Sequence, residues 1–430
     1  MTTAEFFTQD LATADPDLHN HITVEESRQN EQLELIAPKN YMSRAVREAH
    51  GSILAFTSVE GYPGRRWLAG AVNLDAIERL AIKRACAMFG CSYSNVQPHS
   101  GTQANQSVFF ALLEPGDRVL SMALAAGGHL SHGLKTNFSG RWFDVAHYGV
   151  HPDDGLIDYG ELLDQARSFR PKLLICGGSA YPRIIDFERL REIADEVGAW
   201  LLADVAHIAG LIAGGAYPNP FPHCHVVTAT TNKNLRGPRG GLVLSADAEL
   251  ARRIDRAVFP GVQGGPLPEY TAAKAAAFGE ALKPGFKVWA HSVLRNAQAL
   301  AATLTHRGYA VVTGGTDTPL VLLDLRPRGL TGDVASSALE SAGIPCNKNL
   351  IPGDSQKPMV TSGLRFGTSA LTTRGLRTPD FEKLAHLVAD VLDQLPHIEQ
   401  QTMLQVRAAV AEIAKANPLY EVPSASCPDR

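Results

Sequence analysis

The 430-residue chain has no Cys-x-x-Cys pair, no block of like charge and no long apolar run, and each gap excludes a class of function. Its six cysteines, Cys86, Cys91, Cys176, Cys224, Cys346 and Cys427, are scattered along the length. That spacing argues against a zinc site or a disulfide framework, and it fits a reducing compartment. Acids and bases are interspersed to a net charge of -4 and a pI near 6.4. One-signed runs of the kind that mark nucleic-acid arms or membrane-surface patches are missing. Met1 to Asn20 has neither a basic start nor an apolar stretch of signal length, and no segment nears about 18 unbroken apolar residues. The expectation is a cytoplasmic protein that works on small molecules, with no nucleic acid, membrane or metal partner.

What is present is material for more than one core. A chain of this length with 45% hydrophobic residues is too large for a single ordinary core. Short apolar runs recur at Asp117 to Met122, Lys172 to Cys176, Trp200 to Ala203, Val226 to Thr230 and Gly241 to Leu244, each bounded by Gly, Pro or Asp. The stretches between them, such as Phe187 to Val197, show helical spacing with charged faces. Strand and helix alternating in this way predict an α/β sheet covered on both faces. A long amphipathic pattern from about Phe286 to Thr305 then precedes a second group of strand-like runs, Tyr309 to Val312, Leu320 to Leu325 and Gly363 to Phe366. The change of rhythm predicts an N-terminal arm over 1–55, a large domain over 56–285 and a small C-terminal α+β domain over 286–430.

Three constellations carry chemistry. In Thr228-Ala229-Thr230-Thr231-Asn232-Lys233, followed by a Gly/Pro turn, a lysine at the end of a buried strand is desolvated and loses proton affinity. That state suits Schiff-base chemistry, although an exposed loop lysine is the commoner outcome for such a motif alone. In Ala203-Asp204-Val205-Ala206-His207 the aspartate can hold a pyridinium nitrogen protonated, with His207 supporting the ring from beside it. A capped strand end or half a metal site reads equally well there. In Ser100-Gly101-Thr102, opening a helical pattern that runs past Asn105, backbone N-H groups face a phosphate, or merely cap the helix. Taken together, the three supply a phosphate cup, a pyridine partner and a Schiff-base lysine, in the order found in fold-type I pyridoxal-phosphate enzymes.

A more specific resemblance then appears. Glu34-Leu35-Ile36-Ala37, Glu60-Gly61-Tyr62-Pro63-Gly64, Gly127-Gly128-His129-Leu130, Phe259-Pro260-Gly261-Val262-Gln263-Gly264-Gly265, Asn347-Lys348-Asn349 and Thr361-Ser362-Gly363-Leu364-Arg365 follow one another as in the serine hydroxymethyltransferase family, which the chain resembles over roughly residues 30 to 395. The resemblance implies a large seven-stranded mixed sheet, pyridoxal phosphate as cofactor and tetrahydrofolate as a possible co-substrate. It further implies Lys233 as the cofactor lysine, Asp204 on the pyridine nitrogen, His129 stacked on the ring, and Ser100, Gly101 and Thr102 at the phosphate. Ser179, Thr230 and His207 would line the cofactor, with Arg239 near the lysine. Gly264 and Gly265 match a loop that reaches a neighbouring subunit's phosphate, so a homodimer or dimer of dimers with shared sites is expected. Arg365 matches the grip on the substrate carboxylate, and Glu60 the carboxylate that handles protons at the substrate hydroxyl. Leu124, Leu130 and Asn349 match contacts to the pteridine and its tail.

Departures from the family pattern cluster at the substrate end. Pro38-Lys39 stands where the family has Ser-Glu, Ser58 and the pair Trp67-Leu68 where it has tyrosines, and Asn232 and Asn234 flank Lys233 in place of His and Thr. The groups assigned to the cofactor are kept, which reads as altered specificity on retained chemistry. Two activities follow from that reading. One is hydroxymethyl transfer on serine or α-methylserine by retro-aldol cleavage of the Cα-Cβ bond. The other is a folate-independent threonine aldolase or transaldolase, favoured by the smaller Ser58, Leu68 and Asn232. A non-catalytic pyridoxal-phosphate-binding paralogue is a third reading, opposed by the joint retention of Lys233, Arg365 and Glu60.

Overall fold

A computed structural model describes residues 2–420; Cys427 and the Pro/Ser-bearing last residues lie outside them. The expected alternation is there. Seven strands, β1 (Tyr93–Asn95), β2 (Arg118–Met122), β3 (Asp144–Tyr148), β4 (Leu173–Gly177), β5 (Trp200–Asp204), β6 (Val226–Thr230) and β7 (Gly241–Ser245), form one sheet in the order β1-β7-β6-β5-β4-β2-β3. From β3 through β6 neighbouring strands run parallel, whereas β7 is antiparallel to both β6 and β1. Five strands match the runs seen in the sequence. The two edges, β1 and β3, do not announce themselves, because one is only three residues long and the other is the polar, half-exposed Asp-Val-Ala-His-Tyr.

The interior strands are apolar on both sides because both faces are covered. Leu174, Cys176, Leu201, Ala203, Val227 and Ala229 point into one core with helices Val72–Phe89, Phe187–Val197 and Pro268–Ala281. Their neighbours Leu173, Ile175, Leu202 and Val226 point into the opposite core with helices Gly101–Leu112 and Ala248–Arg256. Because β4, β5 and β6 run parallel, their carboxyl ends lie side by side on one rim, where open α/β sheets bind ligands.

A second sheet, β8 (Ala310–Val311), β9 (Leu320–Asp324), β10 (Asn347–Asn349) and β11 (Gly363–Gly367), is antiparallel in the order β8-β9-β11-β10. The helix Pro284–His306 belongs to both cores: Phe286, Trp289, Ala290 and Val293 pack with the large sheet, while Ala297, Leu300, Ala301 and Leu304 pack with the small one. The region expected as one arm divides into three. The helices Thr3–Thr8, Leu11–Ala14 and Pro16–Glu31 bury no residue, Leu33 and Leu35 enter the small-domain core, and Val46 of helix Arg44–His50 packs on Ala273 and Ala277. No helix among the described residues is long and apolar enough to cross a membrane. Cys86, Cys91, Cys176, Cys224 and Cys346 are free thiols.

Candidate active site

Two adjoining hollows open where the rim of the large sheet meets the small domain. The inner one, about 140 Å³, is lined by Ser100, Gly101, Thr102, His129, Ser179, Asp204, Thr230, Lys233 and Arg239. The outer one, about 400 Å³, shares His129, Ser179 and Lys233 and adds Leu124, Leu130, His207, Asn349 and Arg365. Fourteen of the residues singled out in the sequence are thus brought together: nine in the first group and five in the second. A larger depression of about 960 Å³ lies apart from them, lined by Arg44, Arg47, Arg236 and Arg374 and by Glu26, Glu48 and Glu280.

Asp204 ends β5, is buried, and is the best-supported charge in the site. Its Oδ2 accepts from His132 Nε2 at 2.9 Å and from Asn105 Nδ2 at 2.8 Å, while Oδ1 accepts from the Ala206 N-H at 3.1 Å. Burial alone would raise its pKa, but the His132 and Asn105 donors and the nearby imidazoles outweigh it and hold the carboxyl below the usual range. The donors are fixed in turn. His132 Nδ1 faces the His129 N-H at 3.4 Å, so the opposite nitrogen carries the proton. Thr228 Oγ1 donates to Asn105 Oδ1 at 2.6 Å, Asn105 Nδ2 also reaches Ser131 Oγ at 2.9 Å, and Ser131 Oγ lies 2.7 Å from His129 Nδ1. A buried aspartate is therefore tied through one continuous network to the orientation of the His129 ring. Burial lowers the His129 pKa to about 4, so that ring is neutral at ordinary pH.

Lys233 follows β6 on a turn held by Thr231, whose N-H donates to Gly240 O at 3.1 Å and whose hydroxyl donates to Pro238 O at 2.6 Å. Part of the lysine surface opens on the hollow, yet its setting is desolvated enough to lower the pKa to about 8. The Asp204 charge opposes this fall, whereas Arg365 and Arg239 add to it. Arg365 sits on β11, buried, with Nε donating to Asn347 Oδ1 at 3.2 Å and Nη1 to Ser179 O at 2.5 Å. Among the described residues no carboxylate pairs with it, and burial lowers its pKa to about 10.

Glu60, Ser58, Gly264 and Gly265 do not line the hollows of their own chain. Glu60 and Ser58 are exposed. Gly265 is packed against the Val59 carbonyl and the Glu60 side chain, so the two segments form one exposed cluster. The cluster is tethered to the loop that leads into Ser100, Gly101 and Thr102 by His99 Nε2, 3.2 Å from Gly265 O, and by Gln263 Nε2, 2.9 Å from Gln97 O. Lys39 is paired with buried Glu34 at 2.7 Å and stands about half exposed outside the Lys233 cleft, while Pro38 borders both hollows. Sequence reasoning missed His132, Ser131 and Thr228 as partners of the site. It quoted Asn105 without a role, although its place four residues after Gly101 on a helix that opens at the cup was a usable signal.

These residues fit pyridoxal phosphate. The twelve-residue helix Gly101–Leu112 presents its N-terminus to the inner hollow, and a Cβ on Gly101 would run into the Thr230 methyl, so the cradle admits only glycine there. An anionic carboxylate for a pyridine nitrogen and a lysine of reduced proton affinity complete the donor set. Fold and site together define a fold-type I pyridoxal-phosphate-dependent enzyme.

Comparison with known proteins narrows the class. Residues 11–388 match the family described as Serine hydroxymethyltransferase. The chain is 55% identical to a serine hydroxymethyltransferase of Paramagnetospirillum magneticum over 422 residues, 97% of this chain and 99% of that protein. It is 55% identical to the one of Rhodospirillum centenum and 54% identical to the one of a Marinomonas species, each over 97% of this chain and 98–99% of the relative. The chain belongs to the serine hydroxymethyltransferase family, and its cofactor is pyridoxal phosphate.

Proposed function

We propose that this enzyme makes and breaks the Cα-Cβ bond of a β-hydroxy-α-amino acid of the serine or α-methylserine class, with tetrahydrofolate carrying the one-carbon unit, in the cytoplasm. The observation that carries the reading is Arg365, a buried guanidinium without an acid partner, in a hollow it shares with Lys233. Two of its nitrogens are committed to Asn347 and Ser179, which fixes the plane of the fork and leaves Nη2 for a substrate carboxylate. Gripping that carboxylate would fix which Cα bond stood across the ring once the substrate amine had taken the place of Lys233.

Bound pyridoxal phosphate supplies the electron sink for the pair released when the Cα-Cβ bond breaks. Asp204 would hold positive charge at the ring nitrogen, and neutral His129 would cover a ring face. The β-hydroxyl proton passes to a carboxylate as formaldehyde departs, and Glu60 from a second copy is the group assigned to it. Supporting that arrangement, Ile53, Phe56, Trp67 and Val72 around Glu60 are 91, 95, 77 and 82% exposed, an apolar surface of the kind that a subunit interface covers. The uncovered arm helices, with Phe6, Phe7, Ile22 and Val24 exposed, fit the same homodimer.

Pro38 favours an α-substituted substrate, because it puts an apolar ring at the wall between the two hollows. A folate-independent aldolase or transaldolase is the second reading, supported by Ser58 and Leu68, which leave no phenol beside Glu60. Product analysis from serine, α-methylserine and threonine, with and without tetrahydrofolate, separates them. Glycine from serine or alanine from α-methylserine, formed only with tetrahydrofolate, is expected. Threonine cleaved to glycine and acetaldehyde, faster than either and indifferent to folate, would overturn it.

A further inference from the structure

Lys274, on helix Pro268–Ala281, is buried and takes no part in the chemistry above. Its ammonium has three N-H donors and finds three backbone carbonyls: Val96 at 2.6 Å, Pro98 at 3.0 Å and Gly241 at 3.1 Å. Glu78, the acid whose charge bears on it, is already engaged by Arg66 at 2.6 Å and Gln97 at 2.8 Å. Burial lowers the Lys274 pKa to about 7.

The placement of those carbonyls is the informative part. Val96 and Pro98 belong to the loop after β1 that delivers Ser100, Gly101 and Thr102 to the inner hollow. Gly241 begins β7, directly after the turn that carries Lys233, and its N-H donates to Pro98 O at 2.8 Å. The Lys274 stem reaches this junction only because residue 240 is glycine: a Cβ there would meet the Lys274 Cε and would lie 2.8 Å from its Nζ. A cation thus sits behind the cup, at the junction of the phosphate-binding segment and the lysine-bearing turn.

We infer that Lys274 is a positioning residue, whose ammonium clamps the Val96–Pro98 segment to the Lys233 turn and so sets the phosphate cup of the cofactor site. The inference rests on the cofactor assignment and not on the choice of substrate. It makes a distinction that mere support of the fold would not make: the clamp acts on the phosphate end alone.

The test is titration of cofactor-free protein with pyridoxal phosphate and, separately, with phosphate-free pyridoxal, for the unaltered chain, Lys274→Met and Gly240→Ala. Methionine keeps the stem and removes the donors. Gly240 is outside the left-handed region, so alanine there leaves the backbone unstrained; its Cβ would meet the Lys274 Cε and would also lie 2.9 Å from Thr231 Oγ1. Lys274→Met is expected to weaken pyridoxal phosphate by roughly tenfold or more, the loss of charge-assisted hydrogen bonds, with pyridoxal affinity unchanged. Gly240→Ala should move the same ratio in the same direction, and it decides the matter where the methionine variant does not fold. Equal weakening of both ligands, or of neither, would overturn the inference. Failure of the unaltered chain to bind pyridoxal phosphate would strike the cofactor assignment instead.

Discussion

The site predicts how quickly the lysine captures its cofactor as a function of pH. An ordinary lysine amine titrates at 10.5, whereas burial brings Lys233 to about 8. At pH 7 the free-amine fraction is then about 10%, against roughly 0.03% for an unperturbed lysine, some 300-fold more nucleophile. Rapid mixing of cofactor-free protein with pyridoxal phosphate, followed in the visible band of the lysine-linked cofactor, should show the rate rising about tenfold per pH unit up to pH 8 and levelling above it. Because the Arg365 charge pushes the lysine down, Arg365→Gln should move the break upward, and because the Asp204 charge pushes it up, Asp204→Asn should move it downward. The same fall has a stability consequence. The folded protein binds this proton more weakly than the unfolded chain, so the unfolded state holds more protons between about pH 8 and 10.5. Stability of the cofactor-free protein therefore rises with pH across that window, and below pH 8 the whole penalty, ~3 kcal/mol at most, is present. Lys233→Met should accordingly raise the melting temperature of the cofactor-free protein at pH 7. A rate that climbs without a break to pH 10, together with an unchanged melting temperature in the methionine variant, would refute the burial argument.

Three further outcomes are expected. Arg365→Lys keeps the charge but loses the planar fork that Asn347 and Ser179 orient; steady-state kinetics should show KM for the amino acid up by about tenfold or more, with cofactor affinity spared. Asn105→Ala strands the Thr228 hydroxyl and removes one donor from Asp204, which should destabilise the fold by about 1–3 kcal/mol in denaturant titration and weaken cofactor binding. Lys233→Ala and Glu60→Gln chains, each inactive alone, should regain roughly a quarter of the normal activity when refolded together. Half the randomly formed dimers are then hybrids with one intact site of two; no recovery would place Glu60 in its own chain's site or outside the chemistry.

Asp204 and Arg365 were legible because each is a chemically committed residue at the end or in the middle of a buried strand, where the period of two fixes its direction, and Lys233 because it lies on the turn that follows such a strand. Ser100 to Thr102 were legible because a cup for phosphate needs small residues at a helix start. The network behind them was not. His132, Ser131, Asn105 and Thr228 come from three separate segments, and only folding shows that they converge on one carboxylate and one imidazole. A histidine or asparagine taken singly carries no mark of such a role. Lys274 is a stronger case, since a lysine amid Ala-Ala-Lys-Ala-Ala on a helix reads as a solvated charge until the three carbonyls around it are seen.

Glu60 shows the opposite failure. Its motif resembles the family's, yet the chain folds with that glutamate exposed and outside its own hollow. The burial of neighbouring groups makes this more than a detail of placement. Arg66, six residues on, is buried between Asp75 at 2.9 Å and Glu78 at 2.6 Å, so the hairpin that presents Glu60 is anchored by a closed ion cluster and cannot swing inward cheaply. On the proposed reading, a proton-handling glutamate on so rigid a mount meets its substrate in another copy's cavity. The changes at Ser58, Trp67 and Leu68 lie on that same mount, whereas Pro38 lies in the cavity itself. If the proposed shared site holds, substrate choice is divided between two chains, and exchanging Pro38 for serine alone should alter tolerance of an α-substituent without restoring what the missing phenols would supply at the aldehyde.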